Sequence, residues 1–167
     1  MFRKIRPEEI QDNPFTLIGR DWALLTATKP DGSSNCMTAS WGGVGVLWGK
    51  PVCYLFVRPQ RYTHEFTEAG NRLTACFFDE AYRAALTLCG RVSGRDVDKV
   101  SEAHLTPVVE DGATYYDEAR LVLVCRKLYT GKIDPEGFAE AELLKNYAAG
   151  DYHTVYVYEI EEVHAKD

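Results

Sequence analysis

Six short apolar runs, separated by turn signals at uneven spacing, constrain the fold of this chain most. They cover residues 22–28, 34–40, 51–57, 72–78, 119–133 and 154–160. The 51–57 run, P-V-C-Y-L-F-V, places six consecutive apolar residues behind a proline, the pattern of a strand buried on both faces. The second half of the 119–133 run alternates at Cys125, Lys127 and Tyr129, as a strand with one solvated face does. Pro30-Asp31-Gly32 is a turn that joins the first two runs as a hairpin. Between the runs, helices are expected over 61–68, ending at Gly70, and from Asp79 or Glu80 through Leu88, closed by Gly90. Shorter helices are expected over 7–12, over 139–147, and at an acid-capped turn within 93–100. Gly42, Gly43, Gly45 and Gly49 make 44–48 a bent or looped connection, and 106–117 a loop with room for an edge strand. The spacing does not alternate as βαβ units do, and no G-x-G-x-x-G follows a strand. A small, mostly antiparallel barrel with peripheral helices is expected.

With 167 residues, the chain is long enough to bury a core as one domain over 1–167. Its net charge of -6 argues against a general nucleic-acid binder and leaves room only for a local basic pocket. No apolar run approaches the roughly 20 residues needed to cross a bilayer. The basic start M-F-R-K-I-R lacks an apolar segment behind it, so no secretory signal is expected. Neither nucleic acid nor membrane is expected as a partner. The five cysteines, Cys36, Cys53, Cys76, Cys89 and Cys125, form no C-x-x-C pair, which argues against a zinc site or a dithiol motif. Cys53, Cys76 and Cys125 lie in apolar runs and read as reduced core residues, which suits a cytoplasmic location.

Three stretches carry candidate chemistry. In M-T-A-S-W-G-G (37–43), small residues at a strand end let backbone groups reach a flat ligand, and Trp41 is placed to cover it. The bland alternative is a glycine-rich turn with Trp41 and Trp48 in the core. In R-P-Q-R-Y-T (58–63), two arginines and a hydroxyl meet a helix start, which suits a phosphate. Its alternative is a solvated basic turn with Thr63 as an ordinary N-cap. In C-G-R-V-S-G-R-D-V-D-K (89–99), two glycines, Ser93 and three cations share one turn. Read plainly, it is a helix end, a turn and a new helix started by Asp96 and Asp98. Cys89 has no base nearby and reads as a packed thiol. His64 lies beside the 58–63 turn, His104 reads as surface, and His153 precedes the last strand, within reach of a pocket or a partner copy. No histidine spacing suggests a metal, and none is assigned.

Four segments in order resemble the flavin reductase-like, FMN-binding split-barrel family, and its flavoredoxin-like members in particular. They are N-C-M-T-A-S-W-G-G-V-G with L-W-G-K-P, then R-P-Q-R-Y-T-H-E-F, then C-G-R-V-S-G-R-D-V-D-K, then D-Y-H-T-V-Y-V-Y-E-I, over about 14–161. The resemblance implies a mainly β chain with peripheral helices, folded as a six-stranded antiparallel Greek-key split β-barrel. It also implies a homodimer with FMN near the interface. By matching position, Thr38, Ala39, Ser40 and Trp41 would meet the isoalloxazine. Arg58, Arg61, Tyr62 and Thr63 would hold the ribityl phosphate. Cys89, Gly90, Ser93, Arg95 and Lys99 would line the other side, where positive charge favours the reduced ring. Tyr152 and His153 would come from the same chain or from a partner. The implied activity is hydride transfer from NAD(P)H to FMN and electron delivery to free flavin or another small-molecule or protein acceptor. No catalytic side chain is assigned, because the flavin carries the redox chemistry. No separate nicotinamide motif is present. The competing readings are a flavoredoxin-type electron carrier with tightly held FMN, and a binding module without redox function.

Overall fold

All six expected strand runs are strands, and four more join them. The computed structural model describes residues 1–166; Asp167, the last residue of the expected domain, lies outside them. The strands are β1 (Arg3–Ile5), β2 (Ala23–Thr28), β3 (Ser34–Ala39), β4 (Gly42–Leu47), β5 (Lys50–Val57), β6 (Arg72–Phe77), β7 (Pro107–Glu110), β8 (Ala113–Tyr116), β9 (Leu121–Lys132) and β10 (Thr154–Ala165). The α-helices are α1 (Pro14–Thr16), α2 (Tyr62–Ala69), α3 (Arg83–Arg91) and α4 (Lys99–Glu102).

One antiparallel sheet runs β3-β2-β6-β9-β10-β5-β4, with β1 added along the end of β10. Its two edges, β3 and β4, are consecutive in sequence, and only Ser40 and Trp41 separate them. The sheet therefore curls almost shut and splits at that point. The long β9 and β10 pair along most of their length, with register shifts at Val157/Tyr158 and Ile160/Glu162 that bend them around the barrel.

Two cores explain the apolar pattern. Inside the barrel lie Leu25, Met37, Leu55, Val57, Leu73, Leu123, Tyr156 and Tyr158. Outside it, Leu24, Cys36, Cys76, Val122 and Val124 pack against Leu86 and Cys89 of α3 and against the β7–β8 hairpin. All six residues of β2 are buried because this second layer covers its outer face. That is why the run carries no charged residue and buries even its two threonines, Thr26 and Thr28, although the sheet is antiparallel. Helix α2 buries Thr63, Phe66 and Thr67, at positions i, i+3 and i+4, against the barrel.

Several local expectations are corrected. Residues 42–47 form a regular edge strand, not a bend: β4 pairs with β5 from Gly42↔Leu55 to Leu47↔Lys50. Gly42 serves close approach, since a Cβ there would sit 2.9 Å from the Tyr54 carbonyl oxygen. The turn is Trp48-Gly49, with φ of 52° and 69°, the left-handed pair of a two-residue hairpin. Residues 107–116 form a second hairpin, closed by Asp111-Gly112 with φ of 48° and 75°. Asp-Gly between apolar runs is a recognised signal for such a turn. Helix α3 continues through Gly90 to Arg91. A Cβ at Gly90 would meet Thr38 Cβ at 3.3 Å, so the glycine permits tight helix–strand packing and does not end the helix. The expected helix at 7–12 is one 3-10 turn over Pro7–Glu9, and that at 139–147 is a 3-10 segment over Ala141–Tyr147.

Candidate functional site

The split in the sheet opens into a cleft of about 220 Å³ lined by Met37, Thr38, Ala39, Ser40, Trp41, Phe56, Arg58, Arg61 and His153. Its wall is the end of β3, its floor the end of β5, and its rim the start of α2 and of β10. Period-2 alternation puts Phe56 and Arg58 on the same side, while Val57 turns into the barrel. Ser40 and Trp41 leave their backbone without a sheet partner on one side because β3 and β4 diverge there. Trp41 is 52% exposed and tilts against the His153 ring at 5.6 Å.

Arg61 is the N-cap of α2 and offers no side-chain cap to its helix. Its guanidinium points back to α3 instead, where Nη1 donates to the Gly90 carbonyl at 2.9 Å. Nη2 is buried and has no partner among the described residues. Burial lowers the Arg61 pKa, yet an arginine keeps its charge at neutral pH. A half-buried cation with one buried, unfilled donor thus lies beside a helix start whose first N–H groups have no side-chain cap. This arrangement suits an anion.

Arg58 is differently engaged. Nη1 donates to Asp151 at 2.7 Å, Nη2 donates to the Asn146 carbonyl at 3.0 Å, and the cation lies over the Tyr147 ring. Gln60 donates to the same Asp151 carboxylate at 2.6 Å. Hydrogen bonds from Gln60 and then Arg58 hold the Asp151 pKa down. The 146–151 loop is thereby tied to the end of β5. His153 follows this loop: its Nδ1 lies 2.7 Å from the Tyr147 hydroxyl, and burial followed by the Arg58 charge lowers its pKa.

Six of the thirteen expected residues, Thr38, Ala39, Ser40, Trp41, Arg58 and Arg61, therefore line one cleft. Tyr62 and Thr63 open α2 behind Arg61. Tyr62 packs on Phe66 and under Arg95, and the buried Thr63 hydroxyl accepts a hydrogen bond from Asn35 at 2.8 Å. Gly90 contributes its carbonyl to Arg61. Arg95 pairs with Glu65, and its backbone N–H donates to the Ser93 hydroxyl. Cys89 and Lys99 are buried behind β3, and Lys99 and Arg95 line an adjoining cavity rather than the cleft. Met37, from the 37–43 stretch, and His153, expected within reach of a pocket or a partner copy, also line the cleft; Phe56 lines it without having been placed there by sequence. For Phe56 the signal was present, since a residue two before Arg58 on a strand shares its face. His153 belongs to this chain's own cleft, whereas Tyr152 stacks on Tyr147 at 4.8 Å outside it.

Residues 16–167 match the family described as "Flavin reductase like domain". No curated protein sequence matches the chain significantly. Among solved structures, an FMN-binding protein from Thermus thermophilus is similar with a TM-score of 0.70 at 17% identity, covering 99% of this chain and 82% of that one. A flavoredoxin from Methanosarcina acetivorans has a TM-score of 0.68 at 22% identity, covering 99% and 76%. An NADH:FAD oxidoreductase from Streptomyces globisporus has a TM-score of 0.65 at 16% identity, covering 86% and 73%. At these identities the likeness is one of fold.

Proposed function

The chain belongs to the flavin reductase-like domain family, and on that premise we propose that its cleft holds FMN and that the protein is an NAD(P)H-dependent flavin oxidoreductase. The observation that carries this reading is Arg61, a half-buried guanidinium whose buried Nη2 has no partner among the described residues, beside a helix start with no side-chain cap. Bound FMN would supply the redox chemistry, taking up hydride from NAD(P)H and delivering electrons to free flavin or another acceptor. The chain's residues bind, orient and shield. In this reading Thr38, Ala39 and Ser40 present backbone to the ring edge, and Trp41 covers a face of it. Arg61 and Arg58 with Tyr62 and Thr63 take the ribityl phosphate. Cys89, Gly90, Ser93, Arg95 and Lys99 back this end of the site from α3, the turn after it and the start of α4.

The cleft of about 220 Å³ is smaller than the roughly 300–1,000 Å³ of a closed ligand pocket. Part of the ligand would project beyond one chain. This supports a homodimer in which a second copy covers the site: Trp41 lies exposed at the cleft, and Val46 and Trp48 lie exposed farther along the edge strand β4. Five free, buried thiols suit a reducing cytoplasm. No helix among the described residues is long and apolar enough to cross a membrane.

The test is the absorption spectrum of the purified protein with mass identification of released ligand, followed by anaerobic mixing with NADH and with NADPH. A flavin spectrum bleached by either nicotinamide is expected. A yellow protein inert to both, yet reduced by a protein donor, would assign the flavoredoxin-type carrier instead. A colourless protein that binds no added FMN would overturn both readings.

A further inference from the structure

Behind the cleft wall lies a cluster that the proposed flavin chemistry does not use. Cys36 of β3 and Cys89 of α3 are 2% and 0% exposed, and their sulfurs stand 4.0 Å apart. Between their backbones sits the Lys99 ammonium, only 4% exposed, donating to the Cys36 carbonyl at 2.7 Å and to the Cys89 carbonyl at 3.1 Å. None of the ion pairs found among the described residues includes Lys99. A buried cation without a counter-anion is costly, and the ionisable group whose charge acts on Lys99 most strongly is the Cys36 thiol.

The surroundings favour that ionisation. A hydrogen bond from Cys89 is the main cause that lowers the Cys36 pKa to about 7, with the Lys99 charge and the Tyr116 hydroxyl acting in the same direction. Cys89 moves the opposite way, because its proton is held in the bond to Cys36 and its site is buried. One sulfur is thus prepared as a nucleophile and the other as a protonated partner beside it. Of the other three cysteines, Cys53 and Cys125 lie in the barrel interior and Cys76 in the outer core, where burial pushes the Cys76 thiol up to about 12.

Access exists as well. A cavity of about 390 Å³ is lined by Asn35, Cys36, Arg95, Lys99 and Tyr116, and it is separate from the flavin cleft in its lining residues. Its walls are polar and its size admits a molecule no larger than a few waters across with ease.

We propose that Cys36 and Cys89 form a reversible thiol–disulfide couple that hydrogen peroxide oxidises through this cavity. The Cys36 thiolate attacks one peroxide oxygen, the O–O bond breaks, and hydroxide leaves as Cys36 becomes a sulfenic acid. The Cys89 sulfur then attacks the Cys36 sulfur, forming the S–S bond and expelling the sulfenic oxygen as water. The sum is two thiols and one hydrogen peroxide giving one disulfide and two waters. The sulfurs have to approach from 4.0 Å to about 2.05 Å, which is the scale of a side-chain rotation, though it draws β3 and α3 together. The same strand and helix carry Thr38 and the Gly90 carbonyl that holds Arg61. The couple itself does not rest on any cofactor.

The full chain is treated with hydrogen peroxide, quenched in acid, blocked at free thiols while denatured, and digested without reduction. A peptide joining Cys36 to Cys89 is expected, with Cys53, Cys76 and Cys125 blocked as free thiols, and a thiol reductant should reverse the link. In Cys89→Ser, Cys36 should stop at the sulfenic acid and be trapped by dimedone; in Cys36→Ser, Cys89 should remain unlabelled. Lys99→Met, with its fold checked by circular dichroism, should slow linkage by about tenfold through loss of thiolate. Unlinked cysteines, a Cys53–Cys125 link, or dimedone labelling of Cys89 in Cys36→Ser would each overturn the proposal.

Discussion

Arg61 and His153 show how much depends on single side chains at the split of the barrel. If the unfilled Arg61 donor meets a phosphate, Arg61→Ala removes a charge-assisted bond and should weaken FMN binding by about 1.5–3 kcal/mol. Flavin fluorescence quenching measures this, and unchanged affinity would take Arg61 out of the site. His153 makes a pH prediction whose sign follows from its environment. Burial and then the Arg58 charge lower its folded pKa below the usual 6.5. The unfolded chain takes up a proton below about 6.5 while the native ring resists it. The contribution to stability is therefore fully present above that pH and is lost as pH falls through the folded pKa. His153→Gln should show a shallower fall in melting temperature between about pH 7.5 and 5 than the parent protein. Parallel profiles would mean that His153 is not the neutral, buried group described. Its importance was hidden in the sequence because a histidine before a strand points into a pocket or away from it depending on which loop packs beside it. Here the Arg58–Asp151 pair fixes that loop.

The elements divide by whether their signals are local. The six long runs, the 30–32 turn and the α2 segment were legible because apolar periodicity and turn chemistry act over a few residues. Strand β4 differs from the bent connection expected there: of the four glycines, Gly49 does mark a turn, but Gly42, Gly43 and Gly45 lie within an edge strand, and Gly42 lets it approach β5 closely. Gly90 was misread for the same reason, since its missing Cβ serves contact with Thr38 and not a helix stop. Gly70 offers a direct test of close approach at an element boundary. A Cβ there would fall 2.0 Å from the Thr28 carbonyl oxygen, a backbone atom that cannot swing aside. Gly70→Ala should cost about 1–3 kcal/mol as an overpacked contact. At some 2–4 °C per kcal/mol for a chain of this size, calorimetry should see a clear fall in melting temperature. An unchanged value would show that α2 and β2 can separate without loss.

At the scale of the whole molecule, the edge strand β4 and its hairpin turn expose large apolar side chains. Val46 is 74% and Trp48 61% exposed, and Trp48 meets Tyr129 edge-on at 6.5 Å. An uncovered edge strand of this kind invites a second copy. In the proposed homodimer, Val46→Lys should shift sedimentation from dimer toward monomer at equal concentration, since a charged residue on an edge blocks pairing. A wild-type protein that sediments as a monomer would remove the dimer from the account. The sequence by itself determined six of the ten strands, the antiparallel class, the family and most of the residues that line the cleft. These rest on the alternation of apolar residues, on turn chemistry and on ordered motifs, all of which are written along the chain. Only the tertiary structure decided that β3 and β4 become the two edges of one sheet, so that the barrel splits beside Ser40 and Trp41. It alone left Arg61 with an unfilled donor, and it alone brought Cys36 beside Cys89, although no C-x-x-C spacing announces them. These juxtapositions depend on which strands pair and on what packs over their outer faces. Such contacts join residues far apart in the chain, and no local pattern encodes them.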